Sequence, residues 1–286
     1  MKKIAFIIIR YGVEVNGGAE AHCRMLAERL TSFYDVEVLT TTTRIFNTPE
    51  ADFPEGTSVE NGVTVRRFRP HPIDGEQHRQ LGRQCRTARR VRRQLDRLHL
   101  LGALSSIHPE WRMSTAAERR FFLSQPDHTP AMLQFIEQHQ EEYAALLFMN
   151  FYFSQTVLGS VIAPQKTILI PLVHPDKCLY WALNAPMFTR VRHIAFNTEA
   201  ERRTTRRIFG ASLAPNSLIG CGIEQTPAAD WARVKARHNL PERYVLYLGR
   251  ASHSKLNDLL PSLLHSIPLT GSDKKLGSPV GNAPPP

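Results

Sequence analysis

Residues 3–9 read Lys3-Ile4-Ala5-Phe6-Ile7-Ile8-Ile9. They run into the loop Arg10-Tyr11-Gly12-Val13-Glu14-Val15-Asn16-Gly17-Gly18-Ala19-Glu20 and then into Ala21-His22-Cys23-Arg24-Met25-Leu26-Ala27-Glu28-Arg29-Leu30. A β-branched run without polar alternation is the pattern of a strand buried on both faces, as in a parallel sheet. After the loop, Ala19, Cys23, Leu26, Ala27 and Leu30 share one helical stripe. Strand, loop and helix make the first half of a βαβ unit, whose loop opens at the carboxyl edge where open α/β sheets bind ligands. Gly17 and Gly18 carry no Cβ, so a ligand can lie on backbone N–H groups at the helix N-terminus. A tight turn is the other use of such a pair. The G-x-G-x-x-G spacing of a dinucleotide fingerprint is missing, and the second strand, 36–40, ends in Thr41, Thr42, Thr43 and Arg44 rather than in an acidic ribose ligand. Glu20, in the first helical turn, repels a bare phosphate while complementing the helix dipole. The loop is therefore expected to take a partly neutral, hydroxyl-bearing ligand.

Outward from this unit the pattern repeats. A strand is expected over 63–68 after the Asn61-Gly62 turn signal, and helices over 115–124 and 131–142. Buried-strand runs follow at 144–149, 166–173 and 193–197, and Ser217 to Ile223 closes the series. Asn150-Phe151-Tyr152-Phe153 and His174-Pro175-Asp176 each fall just past a strand, at the ligand edge. The alternation over 1–223 calls for a Rossmann-like, doubly wound parallel sheet. A linker with a short helix near Trp231 to His238 spans 224–243, a second α/β unit begins at 244–266, and the Gly-, Pro- and Ser-rich residues 267–286 read as a disordered tail.

A chain of 286 residues with 42% hydrophobic content suits a globular protein of one large or two small domains. Its net charge of +10 implies an anionic partner, whether nucleic acid, lipid surface or phosphorylated substrate. The four cysteines, Cys23, Cys85, Cys178 and Cys221, form no C-x-x-C pair, so neither a zinc knuckle nor a disulfide framework is expected, and a reducing, cytoplasmic compartment is the simpler assumption. No apolar run reaches the roughly 18 residues of a membrane span, so membrane contact is expected to be peripheral.

The charge is concentrated in a helix expected over 76–101. There Arg79, Arg83, Arg86, Arg90, Arg93 and Arg97 recur at spacings of four and three, which places them on one helical face, with Leu81, Ala88, Val91, Leu95 and Leu98 largely opposite. Such a face suits an anionic bilayer or a phosphorylated substrate; a solvated face is the plain alternative. No recognised RNA- or DNA-binding motif accompanies it, which disfavours nucleic acid.

The order of motifs resembles the family-4-type glycosyltransferases of the GT-B fold. The pieces that carry the resemblance are Asn16-Gly17-Gly18-Ala19-Glu20, Val173-His174, Asn197-Thr198-Glu199, Ile219-Gly220-Cys221-Gly222-Ile223, and Tyr247-Leu248-Gly249-Arg250 with Lys255 five residues on. The resemblance implies two facing Rossmann-like domains and metal-independent transfer of a sugar from a nucleotide-sugar donor to a hydroxyl of a glycan or lipid-linked acceptor. No cofactor is implied. It places Gly17 and Gly18 against the donor diphosphate and sugar, His174 at the reacting carbon as the catalytic residue, and Arg250 and Lys255 on the departing diphosphate. Glu20, Asn150 and Asp176 are the candidate acceptor-side residues.

Two departures accompany it. Leu256 stands where a glycine follows the family's lysine, and no glutamate follows Glu242, so the paired carboxylates of the donor site have no counterpart. The expectation is a truncated donor domain and an enzyme impaired or inactive alone unless a partner chain supplies the rest. The other reading is a non-catalytic basic module for anionic lipid, lipid-linked sugar or nucleic acid.

Overall fold

The computed structural model describes residues 1–45, 52–72, 74–223 and 230–240. The chain runs β1 (Lys3–Ile7), α1 (Gly18–Leu30), β2 (Asp35–Thr41), β3 (Gly56–Glu60), β4 (Val63–Phe68), α2 (Gly75–Gln84), α3 (Arg86–Arg97), α4 (Leu101–Ile107), α5 (Thr115–Leu123), α6 (Pro130–His139), β5 (Ala145–Met149), α7 (Ser154–Gly159), β6 (Thr167–Ile170), α8 (Asn184–Thr189), β7 (His193–Phe196), α9 (Glu199–Phe209) and β8 (Asn216–Leu218). Residues 1–223 form one compact unit. In the other unit the described stretch holds α10 (Trp231–His238), started by the Asp230 carboxylate, which accepts the Arg233 N–H at 3.3 Å. The expected second α/β unit and tail lie outside the described residues, as do Arg250 and Lys255.

The sheet has eight strands in the order β3-β4-β2-β1-β5-β6-β7-β8. Every pairing is parallel except β3 with β4, which forms an edge hairpin through the Asn61-Gly62 turn, with Asn61 at φ 48° and Gly62 at φ 81°. The order reverses between β1 and β5, the arrangement of a doubly wound Rossmann-like sheet, and it creates a topological switch point beside the carboxyl end of β1. β1 supplies both layers: Ala5 and Ile7 enter one apolar core, Ile4, Phe6 and Ile8 the other. The first core is built with side chains from the segment between α2 and α3 and from α4 through α9; among the described residues, α1 is the helix that supplies the second.

Two polar clusters fix the layers. The buried Glu37 carboxylate takes bonds from Lys3 (2.9 Å), Arg66 (2.8 Å) and the Tyr143 hydroxyl (2.7 Å). Burial pushes that carboxyl up, and these three partners outweigh it and hold it below its usual range. Arg92 on α3 donates to Glu118 on α5 at 2.8 Å and to the Tyr180 carbonyl at 2.7 Å. Glu118 in turn accepts the N–H groups of Ala182 (2.5 Å) and Leu183 (3.2 Å). This buried pair ties two helices to the segment after β6, and breaking one partner of such a pair costs about 3–5 kcal/mol.

The long basic helix expected over 76–101 is divided at Cys85. Asp74 caps α2 by accepting the N–H groups of Glu76 and Gln77, and α3 restarts after Cys85, whose side chain is buried in the core. All six arginines of the stripe are nonetheless exposed, and the Cys85 N–H to Leu81 carbonyl bond at 3.2 Å and the Arg89 N–H to Cys85 carbonyl bond at 3.4 Å run across the division. α3 turns inward on Ala88, Arg92 and Asp96, leaving Val91 (42% exposed) and Leu98 (59% exposed) toward solvent, because the Arg92–Glu118 pair dictates its rotation more than its apolar residues do.

Candidate functional site

The loops after β1, β5, β6, β7 and β8 all leave the same edge of the sheet, because these strands run parallel. At this edge the residues singled out in sequence reappear with quite different surroundings.

After β1, the chain enters a loop clamped by Arg10. Its guanidinium, almost fully buried, donates to Glu20 at 2.6 and 3.0 Å, to the Arg44 carbonyl at 2.9 Å and to the Asn16 carbonyl at 3.4 Å. Helix α1 begins at Gly18, three residues ahead of its sequence-based start, so Gly17 is its N-cap, and no side chain caps it. Gly17 and Gly18 are exposed. Gly17 has a packing reason to lack a Cβ: the Glu20 carboxylate folds back into the space that a Cβ would fill, whereas a Cβ on Gly18 meets nothing within 4 Å. The expectation that Glu20 repels phosphate is corrected here, because its charge is paired with Arg10 and its carboxylate is buried. In the fold, Glu20 locks the loop.

After β5, Asn150 takes a left-handed conformation (φ 74°) and is buried. Of the aromatics behind it, Phe151 and Phe153 are buried, while Tyr152 is half-buried and lines a surface cleft. After β6, Leu172 is also left-handed (φ 53°), a conformation costly for a bulky side chain. The exposed His174 imidazole follows, packed edge-on to Phe151 with ring centroids 5.9 Å apart. Asp176 accepts the Cys178 N–H at 2.8 Å and so starts a short 3-10 turn. Burial pushes its carboxyl up, and the bonds from Cys178 with the nearby His174 and Lys177 bring it below the usual range. Its role in the fold is that cap.

Three further residues at this edge carry polar groups that sequence reasoning had not assigned a role. His22 on α1 is buried and faces Asn197, just past β7, with the Asn197 amide 3.3 Å from its Nδ1. Burial lowers the His22 pKa, so the ring stays neutral. Asn197 Oδ1 and Glu201 Oε2 are buried without hydrogen-bond partners among the described residues. Burial raises the Glu201 carboxyl above its usual value, against the opposing bonds with the Val173 and Asn197 backbone and Thr198. The 220–223 segment returns to α1, where Gly222 and Ile223 with His22 and Met25 enclose a hollow of about 110 Å³. In sequence, Asn197 stood only in the Asn197-Thr198-Glu199 motif and Glu201 in a first helical turn, and His22 carried no signal of its own.

A larger cleft, about 380 Å³, opens between α2, α3, α5 and the segments after β5 and β6. Arg79, Arg83 and Arg86 line it; Arg90, Arg93 and Arg97 do not. Arg89, outside the stripe read from sequence, does. Among the described residues, no group of three His, Cys, Asp or Glu side chains is arranged to hold a metal ion, and no helix is long and apolar enough to cross a membrane.

No protein-family model and no curated protein sequence matches the chain. A solved structure similar to it is that of Phytolacca americana UGT2 complexed with UDP-2-fluoro-glucose and pterostilbene, at 12% identity and a TM-score of 0.39. The similarity covers 79% of this chain and 55% of that one, so the chain spans about half the length of that protein.

Proposed function

We propose that this chain is glycosyltransferase-like, of the GT-B type and similar to family 4. In this reading residues 1–223 form the acceptor-side half of a site that moves a sugar from a nucleotide-sugar donor to a hydroxyl of a glycan or lipid-linked acceptor. The observation that carries the reading is the shared edge: exposed Gly17 and Gly18 at an uncapped helix start, and the exposed His174 past β6, open on one side of a doubly wound sheet. Backbone N–H groups there attract an oxyanion or a sugar hydroxyl without a metal. His174 hydrogen-bonds the sugar beside the reacting carbon. Neutral His22, on the same helix, meets Asn197 at this edge. Arg250 and Lys255 belong to this proposal as the cations that meet the departing diphosphate.

The test is product formation. Purified chain is incubated with a panel of UDP-, GDP- and ADP-sugars and with glycan and lipid-linked acceptors, and glycosylated product is read by mass spectrometry. Transfer that His174→Ala lowers by about 100-fold supports the reading, the scale of a lost transition-state contact. Transfer unchanged by that substitution removes His174 from the chemistry.

A further inference from the structure

The cleft between α2, α3 and α5 is built unlike an ordinary basic surface. Its wall is a stacked column: Trp181 lies on Phe121 with ring centroids 4.6 Å apart, Phe121 on His78 at 4.5 Å, and the Arg89 guanidinium sits over Trp181 at 3.9 Å. Arg89 donates from Nη2 to the Gly82 carbonyl at 3.3 Å, and its Nε is buried with no partner among the described residues. Burial lowers its pKa, yet a guanidinium remains charged in proteins. Arg83, Arg86 and Lys177 line the same cleft and make no ion pair among the described residues; Arg79 beside them pairs with Glu76 at 2.6 Å. No carboxylate lines it. Burial pushes the Cys178 thiol up to about 12, so it adds no negative charge.

Converging cations cost mutual repulsion unless an anion is held among them. The Arg92–Glu118 pair anchors α3 and α5, two of the three helical walls, and the segment after β6, so these walls are preformed. Guanidinium groups bind phosphate oxygens in bidentate fashion. The faces of Trp181 and Phe121 are already taken within the column, and the half-buried Phe121 turns a ring edge to the cleft as an apolar flank.

We propose that this cleft binds a phosphate ester attached to a ring, with the oxyanion on Arg83, Arg86, Arg89 and Lys177 and the ring beside Trp181 and Phe121. Calling that ligand the acceptor rests on the glycosyl-transfer reading; the oxyanion site does not. Tyr152 and Lys177, which line the cleft, stand two and three residues past Asn150 and His174, so the ligand lies beside the carboxyl edge.

The experiment is calorimetric titration of the full chain with glucose 6-phosphate, glucose and inorganic phosphate, together with flotation on phosphatidylcholine vesicles with and without phosphatidic acid. Two double variants carry equal charge loss: Arg83→Gln/Arg86→Gln inside the cleft, and Arg93→Gln/Arg97→Gln outside it. The expected result is binding of glucose 6-phosphate and none of glucose. The cleft variant weakens it by about tenfold or more, and the outer variant by less than about twofold. Capture by phosphatidic acid with the same variant pattern, and no glucose 6-phosphate binding, supports the oxyanion site with a lipid phosphate as the source and overturns the ring beside Trp181 and Phe121. Equal weakening by both variants, or no binding of either phosphate, overturns the proposal. Sugar transfer to a neutral acceptor that the cleft variant leaves untouched overturns the acceptor assignment alone. Phosphate binding of the expected pattern in a chain that transfers no sugar supports the site and removes only the acceptor label.

Discussion

The Arg10 guanidinium and the Glu20 carboxylate meet at 2.6 Å, with the two side chains 7% and 4% exposed, and this pair closes the loop between β1 and α1 on itself. The helix start is therefore electrically balanced from within. A ligand arriving at Gly17 and Gly18 meets backbone N–H groups whose neighbouring carboxylate is already neutralised.

Glu20→Gln leaves Arg10 buried with half its partner lost. Urea denaturation should show a loss of about 3–5 kcal/mol, as for other buried pairs broken on one side. A loss below about 1 kcal/mol would mean that water reaches Arg10 and that the loop is not locked by this contact.

Gly17 and Gly18 should part company under substitution. Gly17→Ala places a methyl group where the Glu20 carboxylate lies, and that carboxylate is pinned by Arg10, so a loss of about 1–3 kcal/mol is expected. Gly18→Ala meets open space at the first helical position and should stabilise by about 0.4–1 kcal/mol through the unfolded chain. If the ligand lies on this backbone, Gly18→Ala nevertheless weakens donor binding. A thermal melt and a binding titration on the same variant give opposite signs in that case, and a stabilised protein with unchanged binding if Gly18 serves the fold alone.

His128 sets a pH dependence. Burial, with the His71 charge nearby, lowers its pKa to about 4, and its Nδ1 lies 3.1 Å from the Ser154 hydroxyl. The unfolded chain binds this proton below about pH 6.5 and the folded one only below about 4, so the unfolded state holds more protons in between. Stability is full above that window and falls as pH drops through it, by at most about 3 kcal/mol from this group. Burial lowers His22 and His78 in the same direction. The His128→Gln variant should flatten the stability-against-pH slope between pH 6.5 and 4, measured by chemical denaturation.

The parallel sheet was legible because its strands are apolar on both faces; 3–9, 144–149 and 166–173 could be read without their neighbours. β3 was not, because Gly56-Thr57-Ser58-Val59-Glu60 is an exposed edge strand with little to bury. The short α7 and α8 follow strands too closely for a helical period to declare itself. In the site, Asn197 reads in sequence as the last residue of a strand, while position past a strand pointed to Asn150 and His174. It could not reveal that Asp176 is a cap or that Glu20 belongs to Arg10, since both depend on partners fixed by the fold. The arginine stripe was legible as an exposed set, but the division at Cys85 and the buried Arg92–Glu118 pair were not, since a period of seven says nothing of which partners the fold brings up.

The proposed transfer requires carbohydrate to enter at the helix start after β1 and at His174. Amide chemical-shift mapping of the isotopically labelled full chain, titrated with nucleotide sugars and with candidate acceptors, tests this most directly. The predicted result is a cluster of shifted resonances at Gly17, Gly18, Ala19 and Val173–His174. Saturable shifts confined to other surfaces, or none with any nucleotide sugar or acceptor, would contradict it.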